Sequence, residues 1–236
     1  MPFLGIFLGL MGGINMIEMH CHILPMVDDG AKDFDVSLEL IRKEIEEDNK
    51  IIVLTPHQNK NYLDKELLEN RFIELKEKAK DLDCKLYLGS ELYYYERFIE
   101  DLDNGKIQTM NNSKYVLIEF STTVETAIAD ILYDMTIKGY KPIIAHIERY
   151  DYLTFDDYKE IAKYALIQVN ADAFKNKANK KNLKFLLKNK LVTFIASDCH
   201  DLNTRCCDYS VAKKVVMKKY KDQYDKLFNQ VPEFIK

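Results

Sequence analysis

The sequence predicts an α/β fold in which a parallel sheet closes into a barrel, and three observations lead there. Seven short apolar runs recur between Met16 and residue 197, and charged segments with helical period separate them. The runs are apolar at nearly every position, as in strands covered by helices on both faces. No glycine-rich dinucleotide fingerprint supports the alternative, a doubly wound open sheet. Seven strand–helix units in about 190 residues suggest a barrel resembling the (β/α)8 type, slightly short of it.

In chain order, the predicted strands are "MIEMH" (16–20), "KIIVLT" (50–55), "CKLYLG" (84–89), "KYVLIEF" (114–120), "KPIIAHI" (141–147), "ALIQVNA" (165–171) and "LVTFIAS" (191–197). The helical segments between them are 33–48, 64–82, 124–138, 155–164 and 175–189. The tail, 208–235, reads as a basic amphipathic helix whose spaced Val211, Val215, Tyr220, Leu227 and Phe228 close the fold. No linker, repeat or low-complexity stretch divides the chain. Residues 1–15, "MPFLGIFLGLMGGIN", carry no charged side chain. They fall short of the roughly 20 residues that span a bilayer, and they lack the basic segment and cleavage site of a signal peptide. They read as an extension before a single domain over 16–236, with weak membrane-surface anchoring as the alternative.

Composition narrows the class of function. Of 236 residues, 47% are hydrophobic and 31% charged, which describes a soluble globular chain. A net charge of −4 argues against a nucleic-acid partner, which calls for a basic face. Five cysteines, an odd number, suit a reducing cytoplasm better than a disulfide framework. The vicinal Cys206 and Cys207 read as two thiols.

The reactive side chains collect at strand ends. All five histidines (His20, His22, His57, His146 and His200) lie at or just past the C-terminal end of an apolar run. So do Glu91, Glu119, Asn170 and Asp198, and Asp28 and Asp29 follow His22 in the first loop. In a parallel barrel these ends form one rim, where sites are built. A lone His-x-His would be a chance pair, but five of five on one rim points to metal ligation.

"SDCHDLNTR" (197–205) admits two chemistries. Cys199 and Arg205 have the C-x5-R spacing of a cysteine-dependent phosphatase, while Asp198 and His200 could be metal ligands. Side chains alternate faces along a strand. If the strand runs that far, Asp198 and His200 share a face and Cys199 points away, as Cys21 does between His20 and His22. The stretch also lacks the glycine that helps backbone N–H groups converge on an anion. The metal reading is the stronger.

Nine candidate ligands (His20, His22, Asp29, His57, Glu91, Glu119, His146, Asp198 and His200) are too many for one ion and suit two or three. Three divalent ions carry +6 and the four carboxylates −4, leaving a surplus that fits a phosphate-ester dianion. Adjacent metals can clamp the attacking and leaving oxygens of a displacement at phosphorus. Arg149 and Arg205 could add bidentate phosphate contacts. Mixed histidine and carboxylate ligands fit Mn, Fe, Zn or Co.

Taken together, "MIEMHCHILPMVDDGAK", "TPHQNK", "GSELYY", "YVLIEF", "IAHIERY", "QVNA" and "IASDCHDLNTR" resemble the PHP (polymerase and histidinol phosphatase) superfamily. Within it they are most similar to the metal-dependent tyrosine-protein phosphatases of bacterial capsule and exopolysaccharide loci. The similarity runs from Met16 to at least Arg205, with a weaker echo in "LFNQVPEFI". It implies a distorted (β/α)7 TIM-like barrel and a trinuclear metal site, often manganese, held by the nine residues above, with Arg149 and Arg205 at the phosphate. It also implies a phosphotyrosine substrate on the tyrosine-rich tail of a partner kinase. A metal-activated water would attack phosphorus directly, with Asp201 or another rim carboxylate as the candidate proton donor to the leaving group. The expected location is cytoplasmic, with membrane contact only through the substrate or weakly through residues 1–15. The chain departs from the family pattern in its fifteen extra N-terminal residues, in Gln58 where a basic residue commonly stands, and in "CCDY" after Arg205. Rival functions are a small-molecule phosphomonoesterase of the histidinol-phosphatase type and a non-catalytic metal-binding regulator. A nuclease is disfavoured by the acidic balance.

Overall fold

In the computed structural model, β1 (Met16–Cys21) is buried at every position. It pairs in parallel with β2 (Asn49–Leu54), which pairs with β4 (Lys85–Leu88). The remaining strands are β3 (His57–Gln58), β5 (Glu91–Tyr93), β6 (Tyr115–Glu119), β7 (Lys141–Ile144), β8 (Leu166–Asn170) and β9 (Phe194–Ala196). They form a second parallel sheet in the order β3-β5-β6-β7-β8-β9. The structure describes residues 16–62 and 64–235; the extension over residues 1–15 lies outside the described residues.

The two sheets are one ring. Thr55-Pro56 separates β2 from β3, and Gly89-Ser90 separates β4 from β5; Pro56 has no N–H to give a ladder. Across the interruption Gly89 N–H donates to Leu54 O at 2.8 Å and Glu91 N–H to Pro56 O at 3.0 Å. At the other seam His22 N–H donates to Cys199 O at 2.7 Å and Asp198 N–H to His20 O at 2.8 Å. Nine segments thus make seven strands, the distorted (β/α)7 arrangement expected. Ile17 and Met19, Val53, Leu117, Ile143 and Ala145, and Phe194 and Ala196 meet in one cluster, with Phe234 and Ile235 packed against them. Larger apolar clusters lie between the ring and its helices.

Polar caps start several helices where the sequence places them. Helix α1 (Phe34–Glu46) begins on the Asp33 carboxylate, which accepts from Val36 N–H, and α2 (Lys65–Lys78) begins likewise on Asp64. The short α3 (Phe98–Asp103) falls in a stretch where the sequence shows no helical period. Helices α4 (Ile128–Ile137) and α6 (Lys180–Lys188) start four and five residues later than their charged segments suggest. Between them α5 (Phe155–Ile161) opens with a Thr154/Asp157 capping box.

The tail corrects the expectation of one amphipathic helix. It breaks at Tyr220 (φ −140°, ψ 38°) into α7 (Ser210–Lys219) and α8 (Tyr224–Asn229). Ala212 and Val216 face the core in α7, one position along from Val211 and Val215. Leu227 and Phe228 are buried from α8. A straight helix over 208–235 would run about 40 Å; the break instead returns Leu227 and Phe228 to the core that Ala212 and Val216 enter.

Candidate metal centre

Apart from Asp29, carried on the loop after β1, each predicted ligand sits at or just past a strand end. His20 is in β1, and His22 follows it by one residue. The β1–β2 pairing shifts register between Glu18 and Cys21. Such an irregularity re-aims side chains. Here Met19 joins the cluster inside the ring and His20 turns to the same interior. The following loop folds back so that Ala31 N–H donates to His22 O at 3.0 Å. Gly30 makes this possible, because a Cβ there would stand 2.0 Å from His22 O. Asp28 and Asp29 are thereby brought beside the histidines. His57 and Glu91 open β3 and β5 just past the two bends and are register partners. Glu119 ends β6. The strand expected through 147 stops at Ile144, and His146 sits in a left-handed bend at φ 28°.

His20, His22 and Asp198 bring three donor atoms together as ligands of one ion would, with Glu91 beside the two histidines. His20 Nε2 and His22 Nε2 lie 3.2 Å apart, and each is 3.3 Å from Glu91 Oε2. They stand 3.6 and 3.5 Å from Asp198 Oδ1. An ion held tetrahedrally at about 2.0–2.2 Å requires ligand–ligand edges of roughly 3.3–3.6 Å. His22, Asp29, His57 and His200 form a second group with donor atoms within 4.8 Å of one another, and His57, Glu91 and Glu119 a third. His146 Nε2 lies 2.9 Å from Glu91 Oε1 and 3.4 Å from Glu119 Oε1. Glu91 thus offers one oxygen to His20, His22 and His57 and the other to His146, as a bridging carboxylate would.

Hydrogen bonds outside the cluster aim the rings. His22 Nδ1 is 2.8 Å from Asp28 Oδ2, which also accepts from His57 N–H. His200 Nδ1 faces the Asp198 carbonyl at 2.9 Å, and a carbonyl only accepts, so that nitrogen carries the proton. His200 Nε2 then has a free lone pair and no hydrogen-bond partner among the described residues, and neither has His146 Nδ1. Buried histidine nitrogens left in this way fit ligation of a cation. Without an ion, protons balance the charge. Burial works against the His22 cation, but hydrogen bonds to Asp28 and Glu91 push its pKa up to about 10. Burial and the neighbouring His22 instead hold His200 down to about 4.

Both predicted arginines converge on Asp198. Arg149 Nη2 reaches Oδ2 at 2.8 Å and Arg205 Nη2 reaches Oδ1 at 3.1 Å, while their side chains stay 32% and 40% exposed. Arg205 Nη1 also lies 3.5 Å from Asp29 Oδ2, so this guanidinium spans two of the predicted ligands. Asp201, the candidate proton donor, is engaged within its own loop. Its carboxylate accepts from the N–H groups of Asn203, Thr204 and Arg205 and from the Thr204 hydroxyl. Although burial opposes it, these bonds hold its pKa at about 2. Gln58 is buried and accepts from Gln108 N–H at 2.7 Å, so it serves the loop rather than the opening.

Sequence reasoning passed over two supporting residues, Gln168 and Glu148, and placed Asp28 in the first loop without giving it a role. Asp28 differs from Asp29 only by one position, which no pattern resolves. Gln168 is an uncharged residue inside an apolar strand and gives no titratable signal. Glu148, beside Arg149, accepts from Asn170 N–H at 3.1 Å, and burial raises its pKa to about 7.

Cys199 stays out of the site, but not because of strand alternation. The strand ends at Ala196, and Asp198 adopts φ 55°. That left-handed residue, rather than pleating, turns the Cys199 thiol into the cluster of Cys21, Leu40 and Cys207. Its Sγ points to Asp201 O at 3.8 Å. Nearby Glu44 already engages Ser197 and Asn49. We expect Cys199→Ser to keep most activity while losing about 1–3 kcal/mol of stability. Steady-state rates measured well below the melting temperature will check this.

Comparison with known proteins places this geometry. The family model for capsular polysaccharide synthesis, CpsB/CapC, matches residues 16–235. The tyrosine-protein phosphatase CpsB of Streptococcus pneumoniae is 32% identical over 225 residues, 87% of this chain and 91% of that protein. The tyrosine-protein phosphatase YwqE of Bacillus subtilis is 29% identical, covering 93% of this chain and 91% of that one. A crystal structure from the pair YwqE and CpsB, described as metal-dependent tyrosine phosphatases, superposes with a TM-score of 0.78 at 30% identity, over 87% of each chain.

Proposed function

The chain belongs to the CpsB/CapC family of capsular polysaccharide synthesis proteins, and from that membership we propose that it is a metal-dependent protein-tyrosine phosphatase. The observation that carries the reading is the convergence of five histidines and four carboxylates beside two half-exposed arginines. His20, His22, Asp29, His57, Glu91, Glu119, His146, Asp198 and His200 hold two or three divalent transition-metal ions, with Mn first and Fe, Zn or Co as substitutes. Bound ions supply a water ionised near neutral pH and a Lewis acid at phosphorus. Arg149 and Arg205, oriented by Asp198, take up phosphoryl oxygens and counter the charge that grows on them. A tyrosyl leaving group departs as a phenolate, so the engagement of Asp201 within its own loop costs the reaction little.

The substrate we infer is the tyrosine-rich tail of a kinase that regulates capsule or exopolysaccharide assembly. The domain over 16–236 carries the activity, with residues 1–15 dispensable to it. No helix among the described residues is long and apolar enough to cross a membrane. The five free thiols among the described residues fit action in the cytoplasm.

The test compares kcat/KM on manganese-loaded protein for a phosphotyrosine peptide, a phosphoserine peptide and histidinol phosphate. Phosphotyrosine should lead by at least about tenfold. A lead for histidinol phosphate would make the protein a small-molecule phosphomonoesterase. No turnover of any of the three would make it a metal-binding regulator.

A further inference from the structure

Two fully buried amides of β8, Gln168 and Asn170, connect ligands from opposite ends of the chain. Gln168 Oε1 accepts from His146 N–H at 2.5 Å and lies 3.3 Å from His20 Nδ1. Gln168 Nε2 donates to Asn170 Oδ1 at 2.7 Å, and Asn170 Nδ2 donates to Asp198 Oδ2 at 2.8 Å.

The direction of this chain is determined at both ends. A backbone N–H can only donate, so the Gln168 atom beside His146 must be the amide oxygen. His20 Nδ1, facing that same oxygen, must then be the protonated nitrogen. At the far end an ionised carboxylate can only accept, so Asn170 must turn its NH2 toward Asp198 and its oxygen toward Gln168. The two assignments are independent and agree at the single bond between the amides.

We propose that Gln168 and Asn170 are positioning residues: their one-way amide chain fixes His20 with Nδ1 protonated and Nε2 open toward a divalent ion. The proposal rests on the metal reading given above. The choice of residue type has a reason in charge. His22 is oriented by the Asp28 carboxylate and His200 by a backbone carbonyl. A second carboxylate behind His20 would cancel part of the positive surplus that attracts a phosphate ester. An amide gives the same acceptor without the charge, and its other end steadies Asp198. Partners behind a metal-bound histidine typically account for roughly 10–100-fold in metal affinity.

The experiment uses the full chain as wild type, Gln168→Met and Gln168→Glu. Metal-free and Zn2+-loaded proteins carrying 15N-histidine are examined by NMR, and Mn2+ affinity is titrated. In wild type the His20 Nδ1–H should be protected from exchange without metal, and zinc should sit on Nε2. Gln168→Glu keeps the acceptor and should keep the protected proton. Gln168→Met should lose the protection and bind Mn2+ about 10–100-fold more weakly. Retention of both the protected proton and wild-type affinity in Gln168→Met overturns the proposal. So does a wild-type His20 that binds zinc through Nδ1, a result that stands even if Gln168→Met fails to fold. A wild type that shows the protected proton but takes up no Mn2+ or Zn2+ refutes the metal reading and leaves the amide chain in place.

Discussion

Asp198→Asn should lower kcat/KM by at least about 10³ while leaving the fold intact, because one carboxylate serves five neighbours. Its oxygens face His20 Nε2 and His22 Nε2, accept from Asn170 and bind both Arg149 and Arg205. The amide has nearly the same shape but no charge. It also puts an NH2 group against Asn170 and Arg149 on one side or Arg205 on the other, all donors, so whichever way it turns, one contact becomes a clash of donors. The lost charge weakens the hold on an ion, and the arginines lose the anchor that keeps them at the opening. Rates on phosphotyrosine peptide across a Mn2+ titration, with circular dichroism as the check on folding, measure this. Activity within tenfold of wild type at saturating metal would show that Asp198 is not a ligand. His200→Ala should behave alike, in contrast to Cys199→Ser.

Removal of metal should abolish turnover and change the pH dependence of stability. In the metal-free protein His22 is raised to about 10 by Asp28 and Glu91 despite burial, against about 6.5 unfolded. A raised cationic group contributes stability that is fully present below its unfolded value and is lost as the pH climbs toward about 10. His200 acts with the opposite sign. Its folded value is about 4, so the neutral form is favoured and stability falls as the pH drops from 6.5 toward 4. For these two groups the metal-free protein is most stable near neutrality and declines on either side. Loading with Mn2+ should raise the melting temperature and flatten the alkaline decline, since an ion then does the work of the His22 proton. Thermal melts of chelated and Mn2+-reloaded protein from pH 5 to 10 test the sign. A chelated protein that melts higher at pH 9 than at pH 7 would contradict it.

Much of this was legible in the residues, for physical reasons. The seven runs, apolar on both faces, announced parallel strands, and a parallel ring gathers its strand ends whatever the details of its loops. Five histidines at such ends therefore mapped to one place before any distance was known. What could not be read were features decided by three-dimensional contact. Pro56 and Gly89 cut two strands into four segments without reversing their direction. Tyr220 breaks the tail, and α8 then buries Leu227 and Phe228 in the same core that Ala212 and Val216 enter. Alternation along "SDCH" was the wrong reason for the right placement of Cys199, because a left-handed Asp198 replaces the strand. Gln168 looks like an ordinary strand residue until His20 and His146 are seen on either side of its amide.

The seam between β9 and β1 also has a consequence for how the protein is made. The hydrogen bonds that close the ring join His20 and His22 to Asp198 and Cys199. Behind them Glu18 accepts from Ser197 N–H across 179 residues and from the Tyr209 hydroxyl. The groups that complete the ring are thus the same groups that complete the metal cluster. Closing so long a loop is a slow step in folding. In synthesis the His-x-His pair at the end of β1 must wait for β2 through β9 before Asp198 can meet it. Assembly of the candidate site therefore coincides with barrel closure, and a chain whose ring is still open has no assembled site.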